Sequence, residues 1–266
     1  MHDLISAFSG PISGFPVPFC RRSSWSSASL FASGEQGALY LPGPTTCFQD
    51  AAGTTPAGDG DPVGYLADLS GNGNHATQST SAARPTLAQD AGGGWYLDFD
   101  GVDDWLDTGV SAIAGRADRF ACVAGEFTTH ATTWYDHVLH SGSSSSLKAW
   151  GMVIRVQEVD GLGNHYWMDN FNSGLSVASR DVFSINLASE VETYRSARTD
   201  TSVDHALPAG ASTGGVTDFR LMSRISAPAE FAQGDVFGVV ILDRAVTVTE
   251  RTRLETYLAN LSGVTL

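Results

Sequence analysis

From residue 87 to 266 the chain runs in short blocks where apolar and polar positions trade places every one or two residues. Examples are "WYLDF", "RFACVAGEF", "WGMVIRVQEV", "DVFSINL", "ETYRSAR", "TDFRLMSRI" and "GDVFGVVILDRAV", parted by Gly, Ser, Asn and Asp. Blocks of this length, rich in β-branched and aromatic residues and bounded by turn formers, predict β-strands. Their number predicts an all-β fold, a two-sheet antiparallel β-sandwich or jelly roll. The period changes once. In "TVTERTRLETYLANLSG", Thr247 and Glu250 form a capping-box pattern, Leu254, Tyr257, Leu258 and Leu261 an apolar stripe, and Gly263 a stop, which predicts one short C-terminal helix.

Upstream the pattern is more broken. Between residues 30 and 64 the pieces "ALYL", "CFQD" and "VGYLAD" alternate with Pro and Gly, which predicts a lead-in of brief strands packed on the sandwich of 65–266. Residues 1–29 are Pro-, Ser- and Gly-rich and too polar to form a core alone. They read as an arm, disordered or ordered by docking through Phe15, Val17, Phe19 and Trp25. Two turn-dense stretches stand close together, "SGNGNHATQ" at 70–78 and "FDGVDDWLDTG" from Phe99. The second predicts a hairpin about Asp100 and Gly101, with Leu97, Phe99, Val102, Trp105 and Leu106 available to a core.

Composition narrows the partners. The chain has 266 residues, 42% hydrophobic and 17% charged, and carries a formal net charge of −14. That charge opposes a phosphate backbone, so nucleic acid is excluded as a partner, and an anionic membrane surface is disfavoured. Cys20, Cys47 and Cys122 have no metal-type spacing; buried free thiols are one reading and a Cys20–Cys47 bridge the other. The opening segment lacks a basic start and is broken by Pro11, Pro16 and Pro18, which argues against a secretory signal, and no apolar run of about 20 residues predicts a membrane span.

Candidate chemistry follows from spacing. Glu158 and Asp160 share a strand face, as in a Glu-x-Asp-x-x-Glu glucanase strand, but Gly161, Leu162 and Gly163 follow in place of the second glutamate. No catalytic pair is therefore expected. His130, Asp136, His137 and His140 crowd one run, yet alternation sends 137 and 140 to opposite faces unless a bulge intervenes. For a sugar, which stacks on aromatic faces beside amide groups, the candidates are Trp134, Tyr135, Trp150, Tyr166, Trp167 and Asn170.

The order "DLSGNGNHATQ…RP…G…LDFDGVDDWLDTG", with "GVVILDRAVTVTERTRLETYLANLSG" at the end, resembles the concanavalin A-like lectin/glucanase (laminin-G-like) superfamily. The segment "SLFASGEQGALYLPGPTTCFQDAAGTTPAGDGDPVGYLADLSGNGNHATQ" resembles what precedes such domains in tailed-phage virion proteins. It departs at 41–44, where "LPGP" replaces "DPSD". The resemblance implies a noncatalytic virion protein, made in the bacterial cytoplasm and carried on the particle exterior. It would be a homo-oligomer that joins other virion proteins through its arm and binds host-surface glycan; the alternatives are a purely structural virion subunit that binds no sugar and, behind it, a glycan-cleaving enzyme. It also implies that no cofactor is required, and that a structural calcium is held among Asp68, Asn72, Asp98, Asp100 and Asp103, with Asp104 and Asp107 adjacent.

Overall fold

Alternating strands that must bury one face need a second layer, and the computed structural model supplies two. It describes residues 26–111, 113, 115–128, 135–142, 149–156, 159–165, 170–211, 218–225 and 229–266. Sheet A runs in the order β15 (Thr201–Ala206), β14 (Val191–Ser196), β13 (Asp181–Ala188), β8 (Arg119–Thr128), β17 (Gln233–Leu242), β6 (Trp95–Asp100) and β5 (Thr86–Gln89). Beyond the point where β6 ends its pairing, β1 (Gly37–Tyr40) takes the same edge of β17, matching Gly37 to Leu242 and Tyr40 to Val239. The lead-in therefore contributes a strand to the centre of this sheet.

Among the described residues sheet B has nine strands in the order β12 (Asn170–Asn172), β11 (Val159–His165), β10 (Ala149–Val156), β9 (Tyr135–Gly142), β16 (Phe219–Leu221), β7 (Leu106–Asp107), β4 (Ala76–Thr77), β3 (Tyr65–Leu66) and β2 (Cys47–Phe48). All strand pairings in both sheets are antiparallel, as an all-β sandwich requires. The main core lies between the sheets and holds Leu97, Phe99, Val123, Leu139, Ile154, Phe183 and Val239 among others. A second apolar layer, with Phe120, Cys122, Val240, Leu254 and Leu258, lies between the outer face of sheet A and helix α1 (Val248–Ser262). β8 and the second half of β17 are thus covered on both faces, which is why their sequences lose alternation and read as continuous apolar runs.

The helix termini follow local chemistry. Thr247 Oγ1 accepts from the Glu250 backbone N–H while Glu250 returns a bond to the Thr247 N–H, and Gly263 closes the helix at φ 71°. The buried stripe is rotated from the expected one: Leu254, Glu255, Leu258, Ala259 and Ser262 face inward, whereas Leu261 is 38% exposed. Glu255 turns inward because Arg195 Nε and Ser184 Oγ donate to its carboxylate from sheet A.

The stretch around Asp100 and Gly101 corrects a second expectation. It is no hairpin. β6 belongs to sheet A and β7 to sheet B, so residues 101–105 cross from one layer to the other, with Gly101 at φ 73° and Val102 70% exposed. The "SGNGNHATQ" turn is held by Asp68, whose two oxygens accept from the N–H groups of Leu39, Ser70 and Asn74 and from the Ser70 hydroxyl. Asn72 and Asn74 then donate side-chain N–H groups to the Gly37 carbonyl, tying this turn to β1. Cys47 is a free, buried thiol, as is Cys122. Burial pushes the Cys47 thiol up to about 11 and the Cys122 thiol well above its ordinary value, so both are inert core residues.

Candidate functional site

The outer face of sheet B carries the densest polar chemistry, and a bulge creates it. β9 pairs Leu139 with Met152 and His137 with Val153, leaving Val138 as the extra residue. Val138 and Leu139 therefore both enter the core, while His137 and His140 turn to the opposite face, where both are buried with ring centroids 4.6 Å apart. The condition set by the strand alternation is met. Met222 and Glu230 brace the bulge: the Met222 N–H donates to the Val138 carbonyl and the His137 N–H to the Glu230 carbonyl. Both residues adopt positive φ, at 62° and 56°.

Side chains on this face are paired with one another. His137 Nε2 lies 3.2 Å from Glu230 Oε2, and Arg224 Nη1 lies 3.4 Å from the same oxygen. His140 Nδ1 accepts from the Ile225 N–H at 3.2 Å. One strand over, Arg220 Nε donates to Asp107 Oδ1 at 3.0 Å, its Nη1 donates to the Arg224 carbonyl, and its guanidinium sits 3.9 Å from the Trp105 ring centroid. Register aligns Asp107, Arg220, His140 and Gly151 in one cross-strand row. A cleft of about 320 Å³ opens beside it, lined by Asp107, Gly109, Asp218, Phe219, Arg220 and Ile225. Arg220 and Glu230 carry no sequence signal of their own; only the partner strands bring them to the histidines.

The expected sugar residues fare differently. Trp150 is 1% exposed in the core, where its Nε1 donates to Glu192 Oε1 at 2.6 Å and its ring meets Phe219 edge-on. It presents no face to a ligand, which corrects the expectation. Tyr135 is half-buried, 6.1 Å from the His137 ring, and Asn170 stands at the start of the edge strand β12. Trp134, Tyr166 and Trp167 lie outside the described residues, as do Glu158, His130, Cys20 and the arm residues Phe15, Val17, Phe19 and Trp25. Asp160 is exposed on β11.

Of the expected calcium ligands, Asp100 and Asp103 come together with Asp104, each offering an oxygen within 4.8 Å of the others. Asp68 and Asn72 are not in that group and instead serve the turn described above; Asp98 stands exposed on β6. The group supplies three oxygens where calcium takes six to eight. Asp100 Oδ1 already accepts from the Val102 and Asp103 N–H groups, and Asp104 Oδ2 from the Asp100 N–H. The donor set is therefore a partial fit. Burial, with Asp100, Asp103 and Asp98 nearby, lifts the Asp104 carboxyl to about 6.

A second set of carboxylates lies on the open half of sheet A's outer face. Asp98, Asp235 and Glu126 stand opposite one another on β6, β17 and β8. Burial, followed by Asp98 and Glu126, lifts Asp235 to about 6, although Arg180 nearby acts the other way.

No protein-family profile matches the chain, and no curated protein matches it in sequence. Solved structures do share its fold. An arabinofuranosidase complexed with arabinofuranosyl-α-1,2-xylobiose superposes with a TM-score of 0.63 at 11% identity over 88% of this chain. This chain spans 65% of the length of that enzyme. Domain 4 of AbnA, an extracellular arabinanase from Geobacillus stearothermophilus in complex with arabinotriose, matches with a TM-score of 0.53 at 13% identity, covering 83% of this chain and 98% of the domain. The sialidase of Trypanosoma rangeli matches 86% of this chain at 13% identity with a TM-score of 0.52. At such identities the likeness is one of fold.

Proposed function

We propose that this chain is a noncatalytic appendage module of a tailed-phage or phage-like particle, a tail fibre, baseplate appendage or head decoration, that binds host-surface glycan. The observation that carries the binding half is the whole-domain match to the arabinanase domain in complex with arabinotriose, which covers 98% of that domain. The particle half rests on the resemblance of "SLFASGEQGALY…FQDAAGTTP" to the lead-in of virion proteins. Homo-oligomerisation fits the symmetry such particles impose. The test is retention on a glycan array by the purified chain together with immunogold labelling of particles. Retention of at least one glycan and labelled particle exteriors are expected; an array without signal removes the binding half, and unlabelled particles the other.

One observation favours a second reading, glycan cleavage. Asp98 and Asp235 oppose each other across adjacent strands, where side chains stand about 5 Å apart, near the separation of a retaining carboxylate pair. Neither residue lines the clefts beside the β5–β6 hairpin, the outer side of α1, Asp107 or Asp160, however, and a glycosidase needs its pair inside the substrate groove. Incubation with arabinan and xylan is expected to release no reducing ends. Release that is lost in Asp235→Asn would establish the enzyme instead.

A further inference from the structure

Resting on the glycan-binding reading, we infer that the saccharide sits in neither the polar face of sheet B nor the acidic row, but in a cleft at the end of the sandwich. This cleft, of about 340 Å³, lies between the β5–β6 hairpin, the segment after β1 and the C-terminal turn of α1. Trp95, Phe237, Pro42, Leu261, Asn260 and the glycines of the hairpin line it. Its volume sits at the small end of ligand sites and suits one or two sugar rings, a chain end or a branch, rather than a polymer running across the surface.

The walls are rigid because their charges are spent on one another. Asp90 Oδ1 accepts from the Gly92 and Gly94 N–H groups, both at 2.9 Å, which fixes the hairpin. Asp90 Oδ2 accepts from Arg180 Nη1 at 2.6 Å, and the same nitrogen donates to the Ser262 carbonyl at the end of α1. The Arg180 guanidinium lies 4.1 Å from the Phe237 ring centroid. Gly94 permits this closure, since a Cβ there would stand 3.0 Å from the Leu261 carbonyl oxygen. Asp90 is held ionised by Arg180, whose Nε also donates to Glu126 Oε2 at 3.1 Å, so the arginine is engaged twice and offers no free cation to a ligand.

What the cleft leaves unspent is an aromatic surface and an amide. Trp95 is half-buried and its indole N–H has no partner among the described residues; Asn260 is exposed, and its side-chain amide has none either. A flat apolar face beside a group that both donates and accepts, in a cleft lined by no cation, matches a neutral sugar ring, which offers one C–H face and an edge of hydroxyls. On the polar face of sheet B, by contrast, Arg220 and Asp107 already engage each other. An anionic sugar is disfavoured by the chain's −14 charge.

Isothermal titration of the intact chain with arabinotriose, maltotriose, cellotriose and any array-positive glycan tests the inference. Binding is expected to weaken about tenfold or more in Trp95→Ala, about threefold in Asn260→Ala, and to hold steady between 0.05 and about 0.5 M salt, since no ion pair forms. Should Trp95→Ala fail to fold, Asn260→Ala decides alone, because Asn260 is exposed. A glycan that binds both variants as tightly as the parent overturns the cleft and leaves the glycan reading standing. Binding that falls steeply with salt also overturns it. Absence of binding to every glycan overturns both.

Discussion

Glu255 and Asp235 lie over the same face of sheet A and live by opposite rules. Glu255 is 2% exposed on the inner side of α1, where Arg195 Nε donates to both of its oxygens, Ser184 Oγ to one, and Arg251 stands 3.7 Å away. Asp235 stands beyond the helix with acids on both sides, Asp98 and Glu126, and Arg180 opposing them. The covered half of the sheet is thus built as a structural joint, in which every buried charge has a partner. The open half tolerates repulsion that costs stability, and such tolerance belongs to a surface not needed to hold the fold.

Breaking the joint should give the largest effect. Glu255→Ala leaves Arg195 facing a buried gap with only Asp200, at 2.6 Å, to answer it. Loss of one partner from a buried pair costs about 3 kcal/mol or more, so the urea midpoint should fall sharply. A shift below about 0.5 kcal/mol, the size of an exposed pair, would show that the joint is ornamental.

Asp235→Asn should act in the other direction and by less. A carboxyl whose folded value is raised to about 6, from an ordinary value near 4, binds its proton more tightly in the folded state. Stability is therefore present in full below about pH 4 and is lost as pH rises through about 6. The asparagine removes that loss. Thermal unfolding at pH 7.5 should show stabilisation of about 1–2 kcal/mol after allowance for solvent screening, and none at pH 4. An equal gain at both pH values would mean that the substitution acts through packing and not through charge.

These two residues also mark what the sequence could and could not reveal. The capping box at Thr247 and Glu250 was legible because both halves sit within one turn of chain. The identity of the buried stripe was not, since Glu255 is drawn inward by Arg195, 60 positions away in sequence. The sandwich itself followed from local alternation, yet the hairpin expected at Asp100 is a crossing between sheets, because β6 finds β17 and β7 finds β16. The meeting of His137 with His140 depended on a bulge set by the register of β10, which no pattern within β9 encodes. Trp95 shares the parity of Leu97 and Phe99 and so reads as core; it is half-buried only because it begins its strand at the end of the sandwich.

The smallest effect expected concerns the turn at Asp100, Asp103 and Asp104, which sharpens the contrast between charge that holds structure and charge that merely gathers. Three oxygens within 4.8 Å favour a hard cation, but the backbone N–H groups of Val102, Asp103 and Asp100 already occupy part of that capacity. The remaining oxygens amount to half a coordination sphere, so binding should fall in the millimolar range, weaker than that of a dedicated cage. At about 5 mM calcium and pH 7.5 the linkage gain is then about 0.5–1 kcal/mol, a rise in melting temperature of a few degrees at most. Asp104→Asn should abolish that rise and, by removing a carboxylate held at about 6, raise the calcium-free melting temperature. A calcium shift above about 3 kcal/mol would require further ligands outside the described residues and would make this turn a structural metal centre.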